Sequence, residues 1–121
     1  MKLKTITLAI AAGSMLAACA TPTELRYRQV TFAASSISPN AEKTLVCVAK
    51  AWEQATQQPV SITKFETGYT AIAQTKGFFG TNTDFVIDSN NARTGGAVFQ
   101  LWSSMNKDST NKLIDIIQPC L

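Results

Sequence analysis

The chain contains few side chains that could carry out acid–base catalysis. It has no histidine, so the side chain that most often serves as a general base near neutral pH is missing. Asp84 and Asp88 lie four residues apart in a segment whose alternation predicts a strand. That spacing separates the two carboxylates by about 13 Å, whereas paired glycosidase carboxyl groups lie roughly 5–9.5 Å apart. We predict no catalytic residues and expect a protein that is not an enzyme.

Metal and phosphate sites are not indicated either. Asp84, Asp88 and Asn90 form a D-x-x-x-D-x-N pattern, which lacks the dense oxygen ligands of a calcium-binding EF-hand loop. The chain has no C-x-x-C motif, and its glycines fit neither a phosphate-binding loop nor a G-x-S-x-G nucleophile turn. We therefore predict no metal site and no cofactor.

Three cysteines are present, and Cys19 differs from the other two because it follows an apolar segment. The first four residues include two lysines, Thr5 to Ala17 form a mostly apolar run of thirteen residues, and small residues precede Cys19. This order is typical of a secretory signal peptide. A membrane-spanning helix needs about 20 apolar residues, so the run is too short for one. Residues 1–18 are therefore predicted to be a signal peptide.

The four residues Leu16-Ala17-Ala18-Cys19 resemble the lipobox of bacterial lipoproteins. The resemblance implies cleavage between Ala18 and Cys19, and acylation of Cys19 with diacylglycerol and an amide-linked acyl chain such as palmitate. Several acyl chains on one residue anchor a protein stably, whereas a single chain binds a membrane only marginally. The residue after the cysteine is Ala20 rather than aspartate, which by the same resemblance implies the outer membrane, on its periplasmic side or at the surface. The predicted partners are thus the membrane, through Cys19, and an envelope protein.

The rest of the chain is predicted to be a short tether followed by one domain. Removal of 18 residues from the 121-residue chain leaves 103, with a lipidated tether at 19–24 and a single α+β domain at 25–121. The loss of Lys2 and Lys4 reduces the basic residues from 11 to 9, against 8 acidic residues, so the net charge becomes +1. A nearly neutral domain without clustered lysine or arginine lacks the basic surface that nucleic acids require. We predict no nucleic-acid partner.

With Cys19 acylated, Cys47 and Cys120 are the remaining cysteines. The compartment outside the inner membrane is oxidising, so we predict a disulfide between them. The bond would close a loop of about 74 residues, which chain-entropy arguments value at roughly 4 kcal/mol. Cys47 falls off the apolar stripe of its predicted helix, two residues from Leu45 or about 200° around the axis. The C-terminal segment is therefore expected to meet the side of that helix.

The periodicity of the domain predicts an α+β fold. Residues 38–56 have the pattern of an amphipathic helix, with Ser38 as N-cap and Pro39 in the first turn. A second helix is predicted to begin near Asp108 or Ser109 and to end before Pro119. Strand patterns cover 25–32, 60–63, 69–73, 84–88 and 96–102. We predict an antiparallel sheet of three to five strands with two helices packed on one face, the other face being open to water or a partner.

Two apolar pairs are the candidate partner-binding residues. Phe78 and Phe79 lie between two glycines, and neighbouring side chains of an extended segment point to opposite sides. Either one ring enters the core and the other is displayed at a loop tip, or both rings fill the core. Val98 and Trp102 share one side of the last strand and would form an outward apolar patch unless both sheet faces are covered.

Three functions are compatible with these patterns. The first is a small lipid-anchored cell-envelope protein that acts as a binding or structural accessory of a membrane complex or surface. The second is a periplasmic inhibitor of a wall-degrading hydrolase, and the third is an enzyme. A flat apolar sheet face would favour the first, a protruding loop at 77–82 with a polar tip the second, and a carboxylate cluster in a cleft the third.

Overall fold

The fold is built on a five-stranded antiparallel sheet with helices on both faces. A computed structural model describes residues 20–36, 40–93 and 95–121. The strands are β1 (Phe32–Ser36), β2 (Val60–Lys64), β3 (Gly68–Gly77), β4 (Gly80–Asn91) and β5 (Ala97–Ser103). The helices are α1 (Pro22–Arg26), α2 (Ala41–Thr56) and α3 (Lys107–Ile117), followed by a 3-10 turn at Gln118–Cys120. The predicted α+β class and antiparallel sheet are confirmed.

The strands follow one another in space as β1-β5-β4-β3-β2, and every neighbouring pair is antiparallel. Strands β2 to β5 form a meander, because each connection is short enough to return the chain beside the strand it has just left. The β1 strand joins the far edge beside β5, so β4 is the central strand of the sheet.

The core lies between the sheet and the two longer helices, on what we call the front face. The apolar stripe of α2, which includes Leu45, Val48 and Trp52, packs against Ala71 and Phe85 of the sheet. The rings of Trp52 and Phe85 meet edge to face, with their centroids 5.5 Å apart. Helix α3 contributes buried Leu113 and Ile117 to the same cluster. The prediction that both these helices lie on one face is confirmed.

The starts of the two longer helices differ from the predicted ones. The side chain of Asn40 caps α2 by accepting from the Lys43 amide at 2.8 Å, so the described helix begins at Ala41. The predicted cap Ser38 and Pro39 lie outside the described residues. In α3 the cap is Asn106, which accepts from the Ser109 amide at 2.8 Å. The prediction of Asp108 or Ser109 as the cap was wrong, because both lie inside the first turn.

The predicted disulfide is present between Cys47 and Cys120, which are 73 residues apart in the chain. Cys47 lies on the exposed side of α2, away from its apolar stripe, and the 3-10 turn brings the buried Cys120 to it. The C-terminal segment is therefore fastened to the side of α2, as the position of Cys47 on the helix predicts.

The second face of the sheet, here called the back face, is partly covered by a helix that the sequence analysis missed. Residues 20–24 were expected to form a tether and 25–32 a strand, yet α1 begins at Pro22 and β1 begins only at Phe32. Thr21 accepts from the Glu24 amide, and the Glu24 carboxylate accepts from the Thr21 amide, which together form a capping box. The prediction of an open back face is thus wrong where α1 lies on it.

A single buried leucine attaches α1 to the sheet. Leu25 is fully buried and packs with Val86 of β4 and Trp102 of β5. Val30 and Ile72 border this small cluster and are partly buried. No described helix is both long and apolar enough to cross a membrane.

Candidate functional site

The chain next to the predicted lipidation site is bonded directly to the sheet. Cys19 and Ala18 lie outside the described residues, but Ala20 has only 1% of its surface exposed. Its amide donates to Oδ1 of Asn82 at 2.9 Å, and its carbonyl accepts from the amide of Thr83 at 2.8 Å. Residue 20 is therefore held against β4 rather than being part of a free tether.

The β3–β4 hairpin extends beyond the rest of the sheet at this end of the molecule. Strand β2 pairs with β3 only as far as Ala73, and β5 pairs with β4 only from Phe85 onward. In the sheet, strand residues 74–77 and 80–83 therefore pair only with each other, while Ala20 and Gln58 bond to the base of this extension. Four residues of strand correspond to a protrusion of about 13 Å. The predicted strands 69–73 and 84–88 were too short, because this extension is polar and lacks the alternating apolar residues that mark the sheet proper.

Asp84 secures the base of the hairpin. The β3–β4 register shifts between Ala73 and Gln74, and the extra residue on β4 is Asp84. Its carboxylate accepts from the Gln58 amide group at 2.6 Å, from Asn82 Nδ2 at 3.1 Å and from the Thr75 hydroxyl. These bonds give Asp84 a structural role, because they hold the hairpin to the segment that follows α2.

The tip of the hairpin, residues 77–80, exposes both phenylalanines. Phe78 is exposed to 103% of its reference area and Phe79 to 78%, and their ring centroids lie 6.3 Å apart. The interpretation in which both rings fill the core is therefore wrong. A displayed tip is observed, but with both rings exposed rather than one of them buried. Gly80 has a φ of 123°, a value that L side chains rarely adopt, so glycine at this position permits the tight turn.

The two residues of the second candidate pair, Val98 and Trp102, differ in their burial. Val98 is 44% exposed, whereas Trp102 is only 7% exposed because it packs beneath Leu25. The expected outward patch of Val98 and Trp102 is therefore wrong for Trp102, which α1 removes from the surface. Val98 remains on the uncovered part of the back face.

A groove lies on the back face at the opposite end of β4 from the hairpin. It has a volume of about 340 Å³, and its lining residues come from α1, the β2–β3 loop and three strands. They are Arg26, Phe65, Thr67, Gly68, Tyr69, Thr70, Asp88, Asn90 and Gln100. The distance along β4 from Asn82 to Asn90 is about 27 Å, so the hairpin and the groove lie at opposite ends of the molecule.

An ion pair forms the centre of the groove. The Nε and Nη2 atoms of Arg26 each donate to one oxygen of Asp88, both at 2.9 Å. The hydroxyl of Thr70 donates to Asp88 Oδ1 at 2.6 Å, and Arg26 Nη2 also donates to Thr70 Oγ1 at 3.3 Å. Sequence reasoning missed this arrangement, because Arg26 was assigned to a strand and its partner is 62 residues away.

The groove lacks the features of a hydrolytic or metal site. Asp88 is the only acidic residue among those that line it. In the described part of the chain, no group of three histidine, cysteine, aspartate or glutamate side chains could hold a metal ion. The surface instead combines one ion pair, several hydroxyl and amide groups and the half-exposed ring of Phe65. The groove therefore presents both hydrogen-bonding and apolar groups at its surface.

Comparisons of this chain with protein-family models, with curated proteins and with solved structures find no match in any of the three.

Proposed function

We propose that this protein is a lipid-anchored cell-envelope protein that acts as a binding or structural accessory of a membrane complex. The observation that carries the proposal is the attachment of Ala20 to β4. A lipidated Cys19 would be one peptide unit, or about 3.8 Å between Cα atoms, from a residue that is buried and held by two hydrogen bonds. The anchor would therefore hold the domain close to the membrane in a defined orientation, as an accessory protein needs.

The groove is the partner-binding surface of this proposal. Its centre at Asp88 lies about 20 Å along β4 from Asn82, where Ala20 is attached, so the groove is at the other end of the strand from the anchor. Its ion pair of Arg26 and Asp88 leaves backbone and side-chain polar groups at the rim for hydrogen bonding. The exposed Val98 on the same face and Phe65 in the groove wall add apolar contact area. This mixture fits a polar segment of an envelope protein that extends toward the membrane.

The inhibitor function receives less support from the same features. The loop at 77–82 protrudes, as an inhibitory loop would, but its tip displays Phe78 and Phe79 instead of polar side chains. A wall-degrading hydrolase binds sugar chains, and two apolar rings offer no hydrogen-bonding groups to its cleft. The accessory function is therefore the one that we propose.

The anchor is tested by expressing the full chain in a bacterium with two membranes. Intact mass spectrometry is expected to show loss of residues 1–18 and addition of diacylglycerol and one acyl chain at Cys19. Density-gradient separation is expected to place the protein with the outer membrane. The Cys19→Ser variant should carry no lipid and leave the membrane fraction, whereas Ser14→Ala, in the same segment but outside the lipobox, should behave as the parent. An unacylated parent protein would contradict the proposal.

A further inference from the structure

We propose that the hairpin tip inserts Phe78 and Phe79 into the membrane beside the lipid anchor, so that the protein contacts the bilayer at two adjacent points. This inference rests on the proposed function, because it takes Cys19 to be acylated. It goes further by assigning a lipid-binding role to a segment of the folded domain and by fixing which end of the domain faces the bilayer.

The two rings project from the described part of the fold. Phe78 and Phe79 are the most exposed phenylalanines described, and their ring centroids lie 6.3 Å apart. Large aromatic side chains are mostly buried in folded proteins, and a contiguous apolar patch marks a contact surface. Their place at the end of a protruding two-stranded arm lets them enter another phase without moving the core.

The anchor and the tip are on the same arm of the molecule. Ala20 is bonded to Asn82 and Thr83 of β4, and Phe79 lies in the turn three residues before Asn82. Three residues of extended chain span about 10 Å, so the tip lies about 10 Å along the chain from the attachment of the residue next to the anchor. Acyl chains attached at Cys19 would enter the bilayer at that position, and the tip would then meet the same leaflet.

The charge of the arm is compatible with a lipid surface. Between Thr75 and Asn82 the single charged residue is Lys76, and it is exposed. A cation near the surface is attracted to anionic lipid headgroups, while the neighbouring rings reach the apolar boundary. The closest carboxylate along β4, Asp84, is satisfied by hydrogen bonds at the base of the hairpin.

The position of the tip beside the anchor favours lipid as its occupant. Ala20 is bonded to Asn82, which lies about 10 Å along the chain from Phe79, so acyl chains on Cys19 would bring the bilayer to the same end of the domain as the rings. Insertion of the rings into that bilayer requires no further partner.

The test uses the full acylated chain in vesicles of phosphatidylethanolamine and phosphatidylglycerol whose acyl chains carry bromine. Phe79→Trp places a fluorophore at the tip, and Phe65→Trp places one at the groove, which is the matched control at the far end. The parent protein gives the background emission of Trp52 and Trp102, which are 3% and 7% exposed. Flotation and intact mass measured on the same samples report anchoring and acylation.

We expect the added emission of Phe79→Trp to shift to shorter wavelength and to lose most of its intensity to bromine, while that of Phe65→Trp is unchanged. If the protein is acylated and floats but the Phe79→Trp emission is not quenched, tip insertion is wrong and the anchor stands. Equal quenching at both positions would also overturn tip insertion, because both ends of the domain would then contact the bilayer. An unacylated protein that does not float would overturn the proposed function and this inference with it.

Discussion

Asp88 shows how much of the back face depends on one side chain. Its two oxygens accept three close hydrogen bonds, two from Arg26 on α1 and one from Thr70 on β3. Arg26 and Asp88 are both partly buried, with 32% and 24% of their side chains exposed, so water screens the pair only in part. The ion pair and the Thr70 hydroxyl therefore link the end of α1 to β4 and β3 and shape the centre of the groove.

Replacement of Asp88 by asparagine is expected to lower the free energy of unfolding by about 1.5–3 kcal/mol, the range for hydrogen bonds to charged groups. An amide offers one acceptor oxygen, and its NH₂ group would face the donors of Arg26. Urea unfolding of Asp88→Asn measures the change. Asp115→Asn, on the exposed side of α3, is the matched control and should differ little from the parent. Equal losses in both variants would show that the ion pair contributes nothing specific.

At the scale of elements, α1 is the helix whose attachment depends on the fewest contacts. It has five residues, and Leu25 is its one fully buried side chain. A helix this short is not stable alone, so its position depends on this packing, on the capping box and on the Arg26 ion pair.

Replacement of Leu25 by alanine is expected to lower the free energy of unfolding by about 2–5 kcal/mol. It should also expose Trp102 and shift the tryptophan emission to longer wavelength, because Leu25 covers that ring. Tyr27→Ala, just beyond the same helix and 87% exposed, should leave both measurements unchanged. An unaltered emission spectrum in Leu25→Ala would mean that α1 does not cover the indole in solution.

The elements that the sequence predicts well are those with a long or regular apolar pattern. Helices α2 and α3 and strands β2 and β5 were recognised because their apolar residues follow one period along the segment. Helix α1 was missed because Tyr27, Val30 and Phe32 favour a strand. The signal that could have found it is local: Thr21, Pro22 and Glu24 form an S/T-x-x-E capping box with proline in the first helical position.

The site was less predictable than the fold. The exposure of Phe78 and Phe79 depends on where β2 stops pairing with β3 and where β5 stops pairing with β4. A local sequence pattern does not predict those positions. The burial of Trp102 depends on its packing against α1. Because that helix was not predicted, Trp102 was wrongly expected to lie exposed on β5. The pairing of Arg26 with Asp88 joins residues 62 apart and follows only from the packed fold.

For the whole molecule, the disulfide is the strongest constraint on the unfolded chain. The bond joins Cys47 and Cys120, which are 73 residues apart in the chain. The loop that it closes covers most of the described domain. Because a cross-link reduces the conformations open to the unfolded chain, it raises stability more for a long loop than for a short one.

We expect the Cys47→Ala/Cys120→Ala double variant to lose about 4 kcal/mol of unfolding free energy. Urea unfolding should show a lower midpoint, and addition of a reductant to the parent should reproduce it. Cys19→Ser removes a cysteine outside the loop and should unfold at the parent's midpoint. A double variant as stable as the parent would contradict the loop-closure argument.

The attachment of α1 along β4 also gives the molecule a mechanical property. If Cys19 carries the proposed anchor, a pull between the membrane and a bound partner would load the bonds of Ala20 first. The packing of Leu25 and the Arg26–Asp88 ion pair would be loaded next, while β4 remains held between β3 and β5. Detachment would release the chain from residue 20 as far as residue 30, because Thr31 is held to β5 by its bonds to Leu101 and Ser103, and the released segment would extend to about 36 Å. Under tension this N-terminal segment would thus extend into a flexible tether before the sheet is strained. It would pack against the sheet again when the load is removed.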